Sequence, residues 1–113
     1  GLCPVTEANL GDGIFPGTAF LRHDGRFGIG TASNVSIGVA EELRQLEYSQ
    51  RLRDRARNAW PGATPSTGRA LFERALRGGS QALGAGGSEG KDTDEQIGLF
   101  VGARADFFSL DAG

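Results

Sequence analysis

Two short glycine-bearing segments hold the side chains of this sequence best suited to chemistry. One is Thr6-Glu7-Ala8-Asn9-Leu10-Gly11-Asp12-Gly13 and the other is Thr31-Ala32-Ser33-Asn34. Glu7 and Asp12 can take protons or hold cations, while Asn9, Ser33 and Asn34 both donate and accept hydrogen bonds. Five such groups around one mouth would suit a small, highly polar substrate. The same residues also suit plain turns, because Asn, Asp and Gly tolerate unusual backbone angles and bond to their own main chain. Spacing alone leaves both readings open.

Other chemistries are poorly supplied. The sequence has one histidine and one cysteine, too few for a multi-histidine zinc site or a disulfide within the chain. His23 falls in the turn-forming triplet His23-Asp24-Gly25 and reads as a solvated turn residue. Cys3 sits in an apolar segment with no CxxC partner and reads as a buried, inert thiol. Gly28-Ile29-Gly30 has Ser33 where a dinucleotide-binding loop needs its third glycine, so a phosphate cradle is rejected. Arg51, Arg53, Arg55 and Arg57 alternate along one stretch. They read as a solvated face at a helix C-terminus, where cations are favoured, and not as a nucleic-acid surface.

The elements that must position these groups follow from periodicity. Residues 1–5 read as a short buried strand with Pro4 at its end, and 6–17 as a loop. Thr18–Arg22 reads as one or two helical turns, and Arg26–Gly30 alternates like a second strand. From Val39 to Trp60 apolar residues recur near a 3.6 period, with Glu41 and Glu42 in the first turn and Pro61-Gly62 as the stop. Glu47 and Arg51 are spaced as a helical ion pair worth a few tenths of a kcal/mol, roughly. Ser66 is the expected N-cap of a helix running to Gly84. Gly79 lies on that helix's apolar face, where a close approach by another backbone would compensate its poor propensity. Residues 85–96 read as a glycine-rich mobile loop, and 97–101 and 105–110 as strands. The domain reading is therefore 1–84, a loop at 85–96, and a small β unit at 97–113.

Composition bounds the rest. The chain has 113 residues, a net charge of −2 and 38% hydrophobic residues. It is long enough for one small core and too acidic for an electrostatic nucleic-acid footprint. No apolar run reaches the roughly 18 residues of a membrane helix. Nineteen glycines follow no Gly-X-Y period, and the absence of methionine with the abrupt apolar opening Leu2-Cys3-Pro4-Val5 leads us to expect a piece of something longer. One cysteine fits a cytoplasmic location.

At the two polar segments the chain resembles a known family. Cys3-Pro4-x-Thr6-Glu7-Ala8-Asn9-Leu10-Gly11-Asp12-Gly13, Gly25-Arg26-Phe27-Gly28-Ile29-Gly30 and Glu41-Glu42-Leu43-Arg44-x-Leu46-Glu47-Tyr48 are similar to the formimidoylglutamate deiminases of the amidohydrolase superfamily. Gly98-Leu99-Phe100-Val101-Gly102-Ala103-Arg104-Ala105-Asp106 resembles that superfamily's ending. The resemblance implies an α/β fold: the C-terminal part of a (β/α)8 barrel, with strands of a small β-sandwich domain. It implies hydrolysis of N-formimino-L-glutamate to N-formyl-L-glutamate and ammonia, a step of histidine degradation, by a zinc-bound water. It also implies an aspartate just past the second strand, as metal ligand and proton acceptor, where this chain has Ala32. No catalytic residue of the family is then intact here, and the chain alone is expected to hold no zinc and to be inactive. Glu7, Asn9, Asp12, Ser33 and Asn34 remain the substrate-binding candidates. The expected partners are the substrate, the rest of the barrel and a second copy of the chain, with no nucleic acid and no membrane. The alternative is a non-catalytic α/β piece that acts through assembly.

Overall fold

The computed structural model describes residues 1–60, 66–84, 101 and 108–111. Four helices occupy them: α1 (Pro4–Leu10), α2 (Gly17–Arg22), α3 (Val39–Asp54) and α4 (Thr67–Ala82). The expected α/β fold is not what these residues form. In place of the strands at 1–5 and 26–30 there is one isolated parallel bridge between Leu2 and Ile29. Two bonds hold it, Leu2 N–H to Gly28 O and Gly30 N–H to Leu2 O, each 2.9 Å.

Pro4 explains the first correction. A proline at the first helical position loses no hydrogen bond, and its fixed φ suits the turn that follows. The chain therefore coils from Pro4 instead of ending a strand there. Glu7 reaches back to accept from the Cys3 N–H at 2.7 Å, satisfying one of the free donors at the helix start. Gly11 closes α1 in the left-handed region at φ 73°. The Gly11 N–H bonds Ala8 O and the Asp12 N–H bonds Glu7 O, which is a Schellman ending. The stretch expected to be a loop is thus helical over Pro4–Leu10.

α3 also ends early, at Asp54 and not at Trp60. Arg55 turns left-handed at φ 50° and Asn58 at φ 53°. This reversal brings Ala59 and Trp60 back against the core, where Trp60 is fully buried. A helix continued to residue 60 would carry the indole about 9 Å beyond Asp54. Ser66 caps α4 as expected, accepting from the Arg69 N–H at 3.3 Å.

The core gathers Leu2, Phe27, Leu43, Leu46, Trp60 and Leu71, with Phe15, Phe20 and Ile29 packed on it. Phe27 and Trp60 meet at 5.2 Å between ring centroids. The close backbone approach expected at Gly79 is made there by Gly28, on which a Cβ would lie 3.1 Å from the Gly79 Cα, and is tighter still one residue earlier. A Cβ on Gly78 would lie 2.0 Å from the Phe27 carbonyl oxygen, whereas one on Gly79 would meet nothing within 4 Å. The loop at 85–96 and most of the strands at 97–101 and 105–110 lie outside the described residues. Val101 and Phe108–Leu110, which are described, are exposed and in no strand.

Candidate functional site

The Leu2–Ile29 bridge sets the two polar segments side by side. Just beyond it, the Thr6 hydroxyl donates to the Thr31 carbonyl at 2.9 Å. α1 carries Glu7 and Asn9, so these two stand on a helix and not on a loop. Glu7 is half-buried with Oε1 engaged at the Cys3 N–H. Asn9 and Asp12 are exposed at the far end of α1. Glu7 also lines a cavity of about 240 Å³ with Pro4, Gly13, Phe15, Gln45 and Ser49. This cavity lies between α1, the glycine turn and α3.

The second segment is a tight turn. The Asn34 N–H bonds Thr31 O at 3.0 Å, and the Asn34 side chain bonds both backbone groups of Ser36. Ser36 in turn donates to Glu41. Ser33 is exposed, and so is Ala32, at φ 47°. That left-handed angle is uncommon for alanine and several-fold more frequent for Asp and Asn. No recorded bond joins Asn9 or Asp12 to Ser33 or Asn34. The structure brings the roots of the two segments together, at the Leu2–Ile29 bridge and the Thr6–Thr31 bond.

Three functional supports were missed by sequence reasoning, all on α3. Glu42, Glu47 and Gln50 are buried, Glu42 and Gln50 completely. Glu42 Oε2 accepts from the Val5 N–H at 2.8 Å. Gln50 accepts from the Gly17 N–H at 3.1 Å and donates to Phe15 O at 2.7 Å. Glu47 Oε1 accepts from Arg51 Nε at 2.6 Å and from the Ala59 N–H at 3.0 Å. The Glu47–Arg51 pair forms at the expected helical spacing, with its carboxylate in the interior. One helix thus fastens α1, the start of α2 and the returning Ala59-Trp60 segment. Periodicity could not separate these from surface polar residues. Their only signal was position, adjacent to Leu43 and Leu46 on the inward face.

The Arg53–Asp54 hydrogen bond lowers the Asp54 carboxyl and raises Arg53, and bonding to Glu73 raises Arg69. All three groups are solvent-facing, so these pairs are modest contributors to stability.

No cluster of three or more His, Cys, Asp or Glu able to hold a metal occurs among the described residues. His23 is exposed in the turn after α2. Cys3 is free and half-buried, with its sulfur against Gly30. Ala32 offers no donor atom. Zinc therefore does not fit the described residues of this chain. None of their helices is long and apolar enough to cross a membrane.

No family model matches the chain. It is 56% identical over 113 residues to formimidoylglutamate deiminase from Pseudomonas aeruginosa, covering 98% of this chain and 23% of that protein. The chain resembles a piece of that enzyme. It also matches the crystal structure of an amidohydrolase from Brucella melitensis, with a TM-score of 0.71 and 63% identity. That match covers 74% of this chain and 19% of the other. The chain therefore spans about a quarter or less of the length of each.

Proposed function

We propose that this chain is a segment of a hydrolase that deaminates N-formimino-L-glutamate, releasing N-formyl-L-glutamate and ammonia. The 56% identity that runs over 98% of the chain carries this reading. In the longer protein, Glu7 and Asn9 on α1 and Ser33 and Asn34 in the turn serve the substrate's polar groups. Asp12 extends the same rim. The chemistry itself falls outside this segment. A water must be activated to attack the imine carbon, and the turn at 31–34 offers only the Ala32 methyl where the resemblance puts a carboxylate. The segment alone is inactive in this reading, and any zinc is held by residues beyond it. The protein is cytoplasmic in this reading, on its single cysteine.

The test is ammonia release from N-formimino-L-glutamate by the longer protein. Absence of release both with Ala32 and with Ala32→Asp would overturn the reading. An assembly role is favoured by one observation, the apolar residues Phe72 and Leu76 on α4 and Leu83 at its C-cap, exposed at 50%, 43% and 84%. Self-association through these residues is compatible with the hydrolase reading, and sedimentation of Leu76→Glu against the parent chain tests it. Equal sedimentation would remove them from consideration.

A further inference from the structure

Glu42 is fully buried, and its Oε1 has no hydrogen-bond partner among the described residues. Its recorded partner is the Val5 N–H, 37 residues earlier in the chain. Burying a charged group without compensation costs several kcal/mol, roughly, so such a group is retained where its hydrogen bond matters. Val5 is the second residue of α1, and its N–H has no partner within the helix. Glu7 deals with the neighbouring donor, the Cys3 N–H, from within α1 itself. Glu42 therefore supplies what α1 cannot supply locally, and does so from α3, a sixteen-residue helix anchored in the core by Leu43 and Leu46. An anion at a helix start is also electrostatically favoured.

We infer that Glu42 is a positioning residue: its carboxylate fixes the height and tilt of α1, and so places Glu7 and Asn9 for the substrate. This rests on the functional reading above. α1 is only seven residues long and has one other side-chain tie across to the second polar segment, Thr6 to Thr31. With the Val5 bond gone, the helix keeps its Schellman ending, its Leu2 bridge and its packing against α3, but loses its hydrogen bond to α3. A shift of about 1 Å in binding groups is enough to weaken recognition substantially.

Two variants and two measurements test this. Glu42→Leu keeps the volume and removes the acceptor; Glu42→Gln keeps an acceptor oxygen and removes the charge. Amide hydrogen exchange at Val5 is followed in the 113-residue chain, and equilibrium binding of N-formimino-L-glutamate in the longer protein, which needs no turnover. Glu42→Leu should speed Val5 exchange and weaken binding, each by about tenfold. Glu42→Gln should restore both to within about threefold of the parent. Equal damage by the two variants, or unchanged Val5 exchange in Glu42→Leu, would overturn the clamp. Faster Val5 exchange with unchanged binding would overturn the positioning role alone. Failure of the parent protein to bind the compound would overturn the functional reading, and the positioning role with it, while Val5 exchange still reports on the clamp.

Discussion

Gly78 and Gly79 are neighbours in α4, and the same substitution should move stability in opposite directions at the two. A Cβ on Gly78 would lie 2.0 Å from the Phe27 carbonyl oxygen, 2.5 Å from its carbon and 2.7 Å from its nitrogen. All three are backbone atoms and cannot rotate away. Non-bonded heavy atoms settle at about 3.5–4.0 Å, so α4 would have to retreat by roughly 1 Å or more. Leu71 and Ala75, buried on the same helix, would retreat with it. Overpacking of this kind costs about 3 kcal/mol, and replacing a mid-helix glycine by alanine returns about 1 kcal/mol. The net expectation for Gly78→Ala is a loss of about 2 kcal/mol. Gly79→Ala meets nothing within 4 Å and should gain about 1 kcal/mol. Urea unfolding of the 113-residue chain reads this directly through Trp60, its single tryptophan. That indole is fully buried beside the Phe27 ring, at the point of strain. A Gly78→Ala chain as stable as Gly79→Ala would refute the close packing of α4 on Phe27.

Three further outcomes are expected. Ala32→Gly should stabilise the chain by about 1 kcal/mol, because an L-residue pays that much in the left-handed region; an unchanged or lower thermal midpoint would contradict the turn geometry. Glu47→Leu should lower stability by about 2 kcal/mol, since it strips the buried Ala59 N–H of its acceptor; an unchanged urea midpoint would show that the bond is dispensable. The Asp54 carboxyl is held below its ordinary value by Arg53. Its contribution is thus present above that ordinary value and is lost as the pH falls through the lower, folded one. Asp54→Asn should remove this acid-side slope, and parallel pH–stability curves for the two chains would count against it.

The helical part of the fold was largely legible in the sequence, and its boundaries were not. Ser66 announced α4 because a cap and an apolar period coincide there. α3 was found through Leu43 and Leu46, but its end was misplaced, because two non-glycine residues, Arg55 and Asn58, adopt the left-handed turn that returns Trp60 to the core. α1 was missed although its signal was present, with Pro4 at the start and Gly11 at the end. The polar residues between them were read as turn formers instead. The two strands were read from short apolar runs, and only Leu2 and Ile29 pair. At the site, the polar residues of the two segments were legible by type. The buried supports Glu42, Glu47 and Gln50 were not, since a charged residue on a helix gives no local sign of burial.

The central proposal is that this segment belongs to a hydrolase deaminating N-formimino-L-glutamate and that one carboxylate the resemblance implies is missing at Ala32. Ammonia release by the longer protein, measured with Ala32 and with Ala32→Asp, tests it most directly. The turn should accept the aspartate, since it is already left-handed at φ 47° and exposed beside Ser33 and Asn34. A positioned proton acceptor is worth roughly 10²–10⁴-fold, so the aspartate form should release ammonia at least about 10²-fold faster. Equal rates in the two proteins would contradict the claim.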